Sequence, residues 1–207
     1  MTIIKGALKL GSTITKKRKY SNEQKIKFIS YKEFQKLIRA IEKNQARYME
    51  RDRLIFYVAF ECGLRASEIG MINKDDFNEQ KNELYCKRLK GSKNNTIRLS
   101  QSTAKLLKKF TKNLDSDECI FTTQKGNPVD RFLLDKLTKK YFALAKLPED
   151  KANFHTMKHT CAVYLAEEGV DLLDLQYLLG HARVENTLIY FTYTTKRQDA
   201  LYKKIGR

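Results

Sequence analysis

The feature that most constrains the fold is an apolar repeat of the helical kind, which returns along the chain from Ser30 onward. In its first occurrence four apolar residues stand at i, i+3, i+4 and i+7: Phe34, Leu37, Ile38 and Ile41. This spacing places them on one face of a helix and predicts that the face is buried. Ser30, with Glu33 three residues later, resembles a capping box and predicts where the helix begins.

Similar patterns predict further helices, and glycines mark the ends of three of them. The predicted segments are 51–62, 66–72, 102–114, 131–145, 155–168, 171–179 and 185–193. Gly63 ends the first of these segments. Gly169 and Gly180 stand where a left-handed cap residue is expected.

The pattern changes between residues 83 and 99, where two β-favouring runs flank the segment 91–95. This predicts a β-hairpin with an exposed turn that carries lysine. Residues 120–129 are expected to form another short extended segment, with a turn at Gly126-Asn127-Pro128. The predicted fold class is therefore mainly α with a small antiparallel β-sheet, and 207 residues allow one substantial domain.

The charge balance predicts a polyanionic partner. The chain has 41 Lys plus Arg against 24 Asp plus Glu, a formal charge of +17. Nucleic acid is the first candidate and an anionic membrane surface the second. The longest apolar run, 54–60, is far shorter than the ~20 residues that cross a bilayer. Lysines interrupt the N-terminal segment where a signal peptide needs an apolar core, so a cytoplasmic protein with no membrane segment is expected.

The positive charge is concentrated at the N-terminus. Residues 1–27 contain eight basic residues and one acidic residue, a net charge of +7, which leaves +10 for the other 180 residues. The segment includes a KKRK cluster at 16–19. It is interpreted as a basic flexible arm, either one that contacts a polyanion or a solvated tail.

All three histidines fall in one 27-residue window: His155, His159 and His181. His155 and Lys158 are spaced i, i+3 at the start of a predicted helix, so both are expected on one face. Tyr190 stands nine residues after His181, and Tyr193 offers the same chemistry. A zinc site made of the three histidines is an alternative, although no Cys or carboxylate stands at a recognised ligand spacing.

The four cysteines argue against a metal or disulfide framework. Cys62, Cys86, Cys119 and Cys161 lie far apart and form no CxxC pair. Buried, reduced thiols are expected instead.

Four motifs, in this order, resemble those of the tyrosine recombinases, also called the phage integrase family: GLRASEI at 63–69, HTMKH at 155–159, LGH at 179–181, and Tyr190. The resemblance covers residues 28–195 and implies the tyrosine recombinase catalytic-domain fold. A further likeness, to the family's β-hairpin that carries an active-site lysine, lies at 88–95 (RLKGSKNN). Most members place a separate helical domain before the catalytic one, and 27 residues are too few for such a core. A catalytic-domain-only recombinase is therefore expected.

The resemblance implies a metal-independent enzyme, without a cofactor, that cleaves and rejoins DNA strands through a 3′-phosphotyrosyl intermediate, for integration, excision or inversion. The resemblance implies Tyr190 as the nucleophile. The phosphotyrosyl link that it forms keeps the energy of the broken bond, so rejoining needs no ATP. Arg65 would hold the non-bridging oxygens through its planar fork, and His181 would donate a hydrogen bond to the same phosphate. Lys90 is implied as the general acid for the leaving 5′ oxygen, with Lys93 as the alternative.

Three further residues complete the implied catalytic site. His155 would assist proton transfer or hold the phosphate, and Glu68 would orient the surrounding side chains. Lys158 stands where the family usually has the Arg of its HxxR motif, and lysine keeps the charge but loses the two-pronged geometry. His159 is expected to be a structural histidine that bonds to the backbone.

Double-stranded DNA is the implied partner, with self-association into a synaptic tetramer on the DNA. The tail 196–207 would dock on a neighbouring subunit, and accessory DNA-bending proteins are further expected partners. The expected location is the cytoplasm, at the nucleoid. Two alternatives stay open: a catalytically impaired, recombinase-like DNA-binding protein, and a type IB topoisomerase.

Overall fold

The computed structural model describes residues 26–89, 91–194 and 202–206. Most of the expected arm 1–27, Lys90, and most of the tail 196–207 lie outside the described residues. Within them the chain forms eight α-helices: α1 Tyr31–Lys43, α2 Met49–Cys62, α3 Ala66–Ile69, α4 Gln101–Phe110, α5 Arg131–Leu144, α6 His155–Glu167, α7 Leu172–Leu179 and α8 Glu185–Phe191. Three short strands accompany them: β1 Phe77–Asn78, β2 Glu83–Cys86 and β3 Asn95–Arg98. The predicted fold class is confirmed.

Helix α1 begins as its sequence predicts, with a capping box at Ser30. The Ser30 backbone N–H donates to Glu33 Oε2 over 2.7 Å, and the Glu33 N–H donates to Ser30 Oγ over 3.3 Å. The four apolar residues of the predicted face are all buried. Just before the helix, the Ile29 N–H donates to Thr160 Oγ1 over 3.1 Å, which fixes the start of α1 against α6.

Helices α2 and α6 pack against each other at the centre of the core. Both bury residues around most of their circumference. Gly63 ends α2 with a φ of 56°, a left-handed conformation that favours glycine. A Cβ at this position would lie 2.6 Å from Leu179 Cδ2. The glycine therefore also allows the end of α2 to approach the end of α7.

The sheet is antiparallel in the order β1-β2-β3. Leu84 in the central strand pairs with Phe77 on one side and Ile97 on the other, and all three side chains are buried. The hairpin lies where the sequence predicts it, but Cys86 pairs with Asn95, so the connection spans 87–94 rather than 91–95. Strand β1 is not predicted, because two residues show no alternation.

Three predicted helices end early. The segment 66–72 is helical only to Ile69, and the other two, 102–114 and 185–193, end just before a threonine. Helix α4 ends at Phe110, where the Thr111 hydroxyl donates to the Leu107 carbonyl over 2.9 Å. Helix α8 ends at Phe191, where the Thr192 hydroxyl donates to the Ile189 carbonyl over 2.7 Å. The segment 120–129 contains an isolated bridge between Thr122 and Pro128 around the predicted turn.

Three of the cysteines are buried, Cys119 is partly buried, and all four are free thiols, as predicted. In the described parts of the chain, no helix has the length and apolar character needed to cross a membrane.

Candidate active site

The residues selected from the sequence meet where the C-terminal ends of α2 and α7 approach each other. Arg65 follows the end of α2, and His181 follows the end of α7. The first half of α6 supplies His155 and Lys158, and α8 supplies Tyr190. The turns that aim Arg65 and His181 inward start at glycines with left-handed φ values.

Arg65 is held in place by Glu68 and by the hairpin connection. The guanidinium Nη1 donates to Glu68 Oε1 over 2.8 Å and to Ser92 Oγ over 3.1 Å, and the Arg65 backbone N–H donates to Glu68 Oε2 over 2.9 Å. Burial alone would raise the pKa of the Glu68 carboxyl. Hydrogen bonds from the backbone N–H groups of Arg65 and Leu89 and from the Arg65 guanidinium outweigh burial and lower that pKa. Glu68 is thus an anion that orients Arg65, whose side chain stays 23 % exposed.

Arg88, which the sequence reasoning did not select, links these elements from the interior. Its guanidinium is fully buried and donates to three backbone carbonyls: Cys62 over 2.8 Å, Gly63 over 3.1 Å and Leu178 over 2.7 Å. It also donates to Asn95 Oδ1 over 3.1 Å and lies 3.5 Å from Glu68 Oε2. The ends of α2 and α7 are therefore fixed to the hairpin by one side chain.

Lys158 is buried, although the sequence predicts it on the same face as His155. Its residue exposure is 2 %, whereas His155 is exposed. The Lys158 ammonium donates to the carbonyls of Gly63 and Leu179, each over 3.0 Å. The predicted spacing holds in α6, but the exposures differ, because His155 begins the helix and Lys158 lies one turn further in, where α6 is buried around most of its circumference.

The cationic side chains around Glu68 outnumber the anionic ones that interact with them. Arg65, Arg88 and Lys158 all interact with the single carboxylate of Glu68. Burial lowers the pKa of Lys158 to about 7, and the two guanidinium groups act in the same direction. A surplus of cationic groups in a partly closed site favours the binding of an anion.

His181 is 7 % exposed, and its ring is fixed by a neighbour on α8. Its Nδ1 lies 3.0 Å from Thr187 Oγ1. Burial, together with the charges of Lys158 and Arg65, lowers the pKa of His181 to about 3, so the ring is neutral at pH 7. The carbonyl of the preceding Gly180 accepts from the Lys93 N–H over 2.8 Å, which ties the hairpin connection to this loop.

Tyr190 lies on α8 with an exposure of 2 %. Its ring is stacked beside His181, with centroids 6.3 Å apart and planes at 15°, and its hydroxyl oxygen lies 3.1 Å from His159 Nδ1. Burial raises the pKa of the Tyr190 hydroxyl, so the phenol is protonated at neutral pH. Tyr193 makes different contacts, because its hydroxyl accepts from the Ile26 backbone N–H over 3.1 Å.

His155 connects the site to solvent. It lines a cleft of about 410 Å³ together with Arg65 and Arg131, and its ring lies edge-on to His159 at a centroid distance of 4.4 Å. Lys93 is exposed on the hairpin connection, whereas Lys90 is outside the described residues. Across residues 26–89, 91–194 and 202–206, no group of three or more His, Cys, Asp or Glu side chains is arranged to hold a metal ion.

The sequence motifs assign no role to Arg88, and they predict a different role for His159. Arg88 continues the inward face of β2 after Leu84 and Cys86, so the period of two could have placed it inside. His159 stands one helical turn after His155, on the same side of α6. The sequence predicts that it bonds to the backbone, whereas its Nδ1 contacts the Tyr190 hydroxyl.

Comparison with known proteins gives matches over most of the chain. A model for the phage integrase family matches residues 27–197. The tyrosine recombinase XerC of Caldanaerobacter subterraneus subsp. tengcongensis is 31 % identical over 169 residues, which cover 79 % of this chain and 46 % of that protein. The chain spans about half the length of the curated relatives it matches.

Two solved structures are similar in fold. The XerH site-specific recombinase, in a post-cleavage complex with a palindromic difH substrate, gives a TM-score of 0.73 at 23 % identity, covering 87 % of this chain and 53 % of that one. The catalytic domain of bacteriophage HP1 integrase gives a TM-score of 0.64 at 18 % identity, covering 86 % of this chain and 94 % of that one.

Proposed function

The chain belongs to the phage integrase family, and on that basis we propose that it is a site-specific DNA recombinase that cleaves and rejoins strands through Tyr190. Its fold is that of the tyrosine recombinase catalytic domain, as the sequence predicts. The observation that carries the proposal is the surplus of cationic groups beside a buried tyrosine hydroxyl: the guanidinium groups of Arg65 and Arg88, joined by Lys158 when it is protonated, against the carboxylate of Glu68. A phosphodiester brings the negative charge that balances this surplus.

In the reaction, Tyr190 Oη attacks the phosphorus and the bond to the 5′ oxygen breaks, which leaves a 3′-phosphotyrosyl link. Attack by the freed 5′ hydroxyl of another strand reverses these steps and rejoins the DNA without an external energy source. A lysine of the hairpin connection, Lys90 or Lys93, gives a proton to the leaving 5′ oxygen. As the new O–P bond forms, the phenol proton of Tyr190 leaves to water in the cleft, and His155, which lines that cleft, assists this transfer.

Arg65 and His181 stabilise the phosphate while it is five-coordinate. The Arg65 guanidinium is already oriented by Glu68 and remains partly exposed to the cleft. When the Thr187 hydroxyl donates to Nδ1 of neutral His181, Nε2 carries the proton and donates to a phosphate oxygen. Preorganised donors of this kind contribute about 3–4 kcal/mol each to transition-state stabilisation.

Lys158 acts from behind these two residues. Both carbonyls that it binds belong to the turns before Arg65 and His181, so it fixes the distance between them. Its ammonium also adds positive charge behind the phosphate. Neither task needs the two-pronged geometry of the arginine that the family usually has at this position.

Double-stranded DNA is the partner in this proposal. The active assembly on the DNA is a tetramer in which the tail 196–207 of each subunit docks on a neighbouring subunit. Accessory proteins that bend DNA assist this assembly. The protein acts at the nucleoid in the cytoplasm. Residues 28–195 form the catalytic domain and residues 1–27 an arm that contacts DNA. The contact of Ile26 with Tyr193 supports this role for the arm, because it places the C-terminal end of the arm against a residue three positions from Tyr190 along the chain.

The test is a covalent adduct between the protein and DNA. Nicked fragments of the replicon that carries the gene are incubated with the wild type, Tyr190→Phe and Tyr193→Phe, and adducts that survive denaturation are separated on a gel. Wild type and Tyr193→Phe are expected to form the adduct, because Tyr193 bonds to Ile26. Tyr190→Phe lacks the attacking oxygen and is expected to form none.

Each alternative predicts another pattern. If no fragment gives an adduct with the wild type, the enzymatic proposal is wrong and a DNA-binding protein remains. If the wild type relaxes a supercoiled plasmid that yields no site-specific adduct, the activity is that of a type IB topoisomerase.

A further inference from the structure

His159 is the polar group that touches the Tyr190 hydroxyl. The two residues lie on α6 and α8, which pack together, and 3.1 Å separate His159 Nδ1 from Tyr190 Oη. His159 is partly buried and Tyr190 is 2 % exposed. The contact therefore lies largely out of water, where a hydrogen bond has little competition.

The direction of this hydrogen bond follows from the proton of the phenol. A buried hydroxyl proton without an acceptor is costly, and within the described residues His159 is the partner found for Tyr190 Oη. If an Nδ1–H donated to the oxygen, the phenol proton would lose that acceptor. The Tyr190 hydroxyl therefore donates to a bare Nδ1.

The acceptor state of His159 is stable at neutral pH. Burial, together with the neighbouring His155 and Lys158, lowers the pKa of His159 to about 3. The neutral ring accepts the hydrogen bond and does not take the proton from the phenol, so a role as general base is disfavoured.

The donated hydrogen bond determines where the reactive lone pairs point. With the O–H directed at His159, both lone pairs of Tyr190 Oη are turned away from that residue. The ring itself is held on another side by the stacked ring of His181. One contact thus fixes the plane of the ring and the other fixes the hydroxyl.

Building on the function proposed above, we propose that His159 is a positioning residue that accepts a hydrogen bond from Tyr190 and thereby aims its nucleophilic oxygen at the phosphate. It acts through Tyr190 and contacts neither the DNA nor the leaving group. Misplacing a reacting atom by about 1 Å can cost about 100-fold in rate, so the effect belongs to the chemical step.

Three substitutions separate positioning from packing. His159→Asn places an amide oxygen the same number of bonds from Cα as Nδ1, and Asn can be oriented to accept from the hydroxyl. His159→Leu has the shape of Asn without an acceptor. His159→Gln is polar, but its amide oxygen lies one bond further from Cα and is misplaced as an acceptor. If His159→Leu does not fold, His159→Gln replaces it in the comparison with His159→Asn.

The measurement is the rate of adduct formation on a nicked substrate under single-turnover conditions, with thermal unfolding measured in parallel. We expect His159→Leu and His159→Gln to react about 10- to 100-fold more slowly than the wild type, and His159→Asn to recover most of the rate. A substrate with sulfur in place of the 5′ bridging oxygen needs no general acid. It should rescue a Lys90→Ala or Lys93→Ala variant that lacks the acid, and it should leave the His159→Leu defect in place.

The inference is overturned if the three His159 variants react as fast as the wild type, or if Asn and Leu are equally slow and equally destabilised. In the second case His159 only supports the fold. If the wild type itself forms no adduct, the proposed function fails and this inference fails with it. The wild-type lane therefore distinguishes the two failures.

Discussion

Lys158 holds an ammonium group inside the protein, where two backbone carbonyls take the place of water. Burial penalises the charged form, and the pKa falls from an ordinary 10.5 to about 7. Between pH 7 and about 10 the unfolded chain therefore binds more protons at this position than the folded chain does. Linkage then requires the free energy of unfolding to rise with pH over this window, and the charge to lower stability below it.

We predict that this pH dependence depends on Lys158. From pH 7 to pH 9, the free energy of unfolding of the wild type should rise by about 1–3 kcal/mol more than that of Lys158→Met. Urea denaturation at both pH values measures the difference. Lys105→Met, at an exposed position, controls for the loss of one positive charge. Parallel curves for the wild type and Lys158→Met would contradict the assignment.

At the scale of elements, the hairpin is joined to α2 and α7 by the side chain of Arg88. Replacing Arg88 by Met leaves the Cys62 carbonyl without its donor and removes one of the two donors of the Gly63 and Leu178 carbonyls, so the free energy of unfolding should fall by about 2–4 kcal/mol. Adduct formation should fall as well, because the turns that carry Arg65 and His181 lose their common support.

A matched control lies on the same hairpin. Arg98 pairs with Glu83 at the surface, with 75 % of its side chain exposed, and exposed pairs contribute at most about 1 kcal/mol. Arg98→Met should therefore unfold within about 0.5 kcal/mol of the wild type and react at its rate. Equal losses for the two variants would show that Arg88 has no special role.

Some boundaries of the helices and strands can be predicted from the sequence and others cannot. Helix starts are predictable where local chemistry sets them, as with the Ser30 capping box. The ends of α4 and α8 are not, because a threonine that bonds to a helix carbonyl does not mark an end: Thr138 makes such a bond inside α5, and Thr111 makes it at the end of α4. Strand β1 is too short to show a pattern and exists because β2 pairs with it.

The candidate active site also has parts that the sequence predicts and parts that it does not. The positions of Arg65, His181 and Tyr190 near one another are predictable from motifs, whereas the contacts of buried polar groups depend on packing between distant segments. Arg88 and Leu178 are 90 positions apart, and no local pattern relates them. His159 and Tyr190 likewise meet only because α6 and α8 pack together.

At the scale of the whole molecule, the +17 charge predicts DNA binding that weakens steeply with salt. Replacing the four basic residues at 16–19 by Ser should flatten the slope of log K against log salt by about 3–4, since each phosphate contact contributes about 0.9. Fluorescence anisotropy on a DNA duplex at several salt concentrations measures the slope. An unchanged slope would mean that these residues form a solvated tail.

The control uses basic residues at the other end of the fold. Lys36, Arg39 and Lys43 line a groove beside the end of α5. Helix α1 packs antiparallel to α2, since Tyr31 contacts Phe60 and Glu42 contacts Arg53. Lys43 therefore lies toward the start of α2, whereas Arg65 follows its end. Changing the three to Gln should alter the slope by less than about 1, even though three charges are removed.

The hydrogen bonds of Arg88 and Lys158 to main-chain oxygens have an evolutionary consequence. Every residue type has a backbone carbonyl, so the hydrogen bonds of these two cations do not depend on the side chains at positions 62, 178 and 179. Sequence drift at those positions is limited by packing and leaves the spacing between the two turns unchanged. The restriction falls instead on the glycines at 63 and 180, where a side chain would collide with the facing segment.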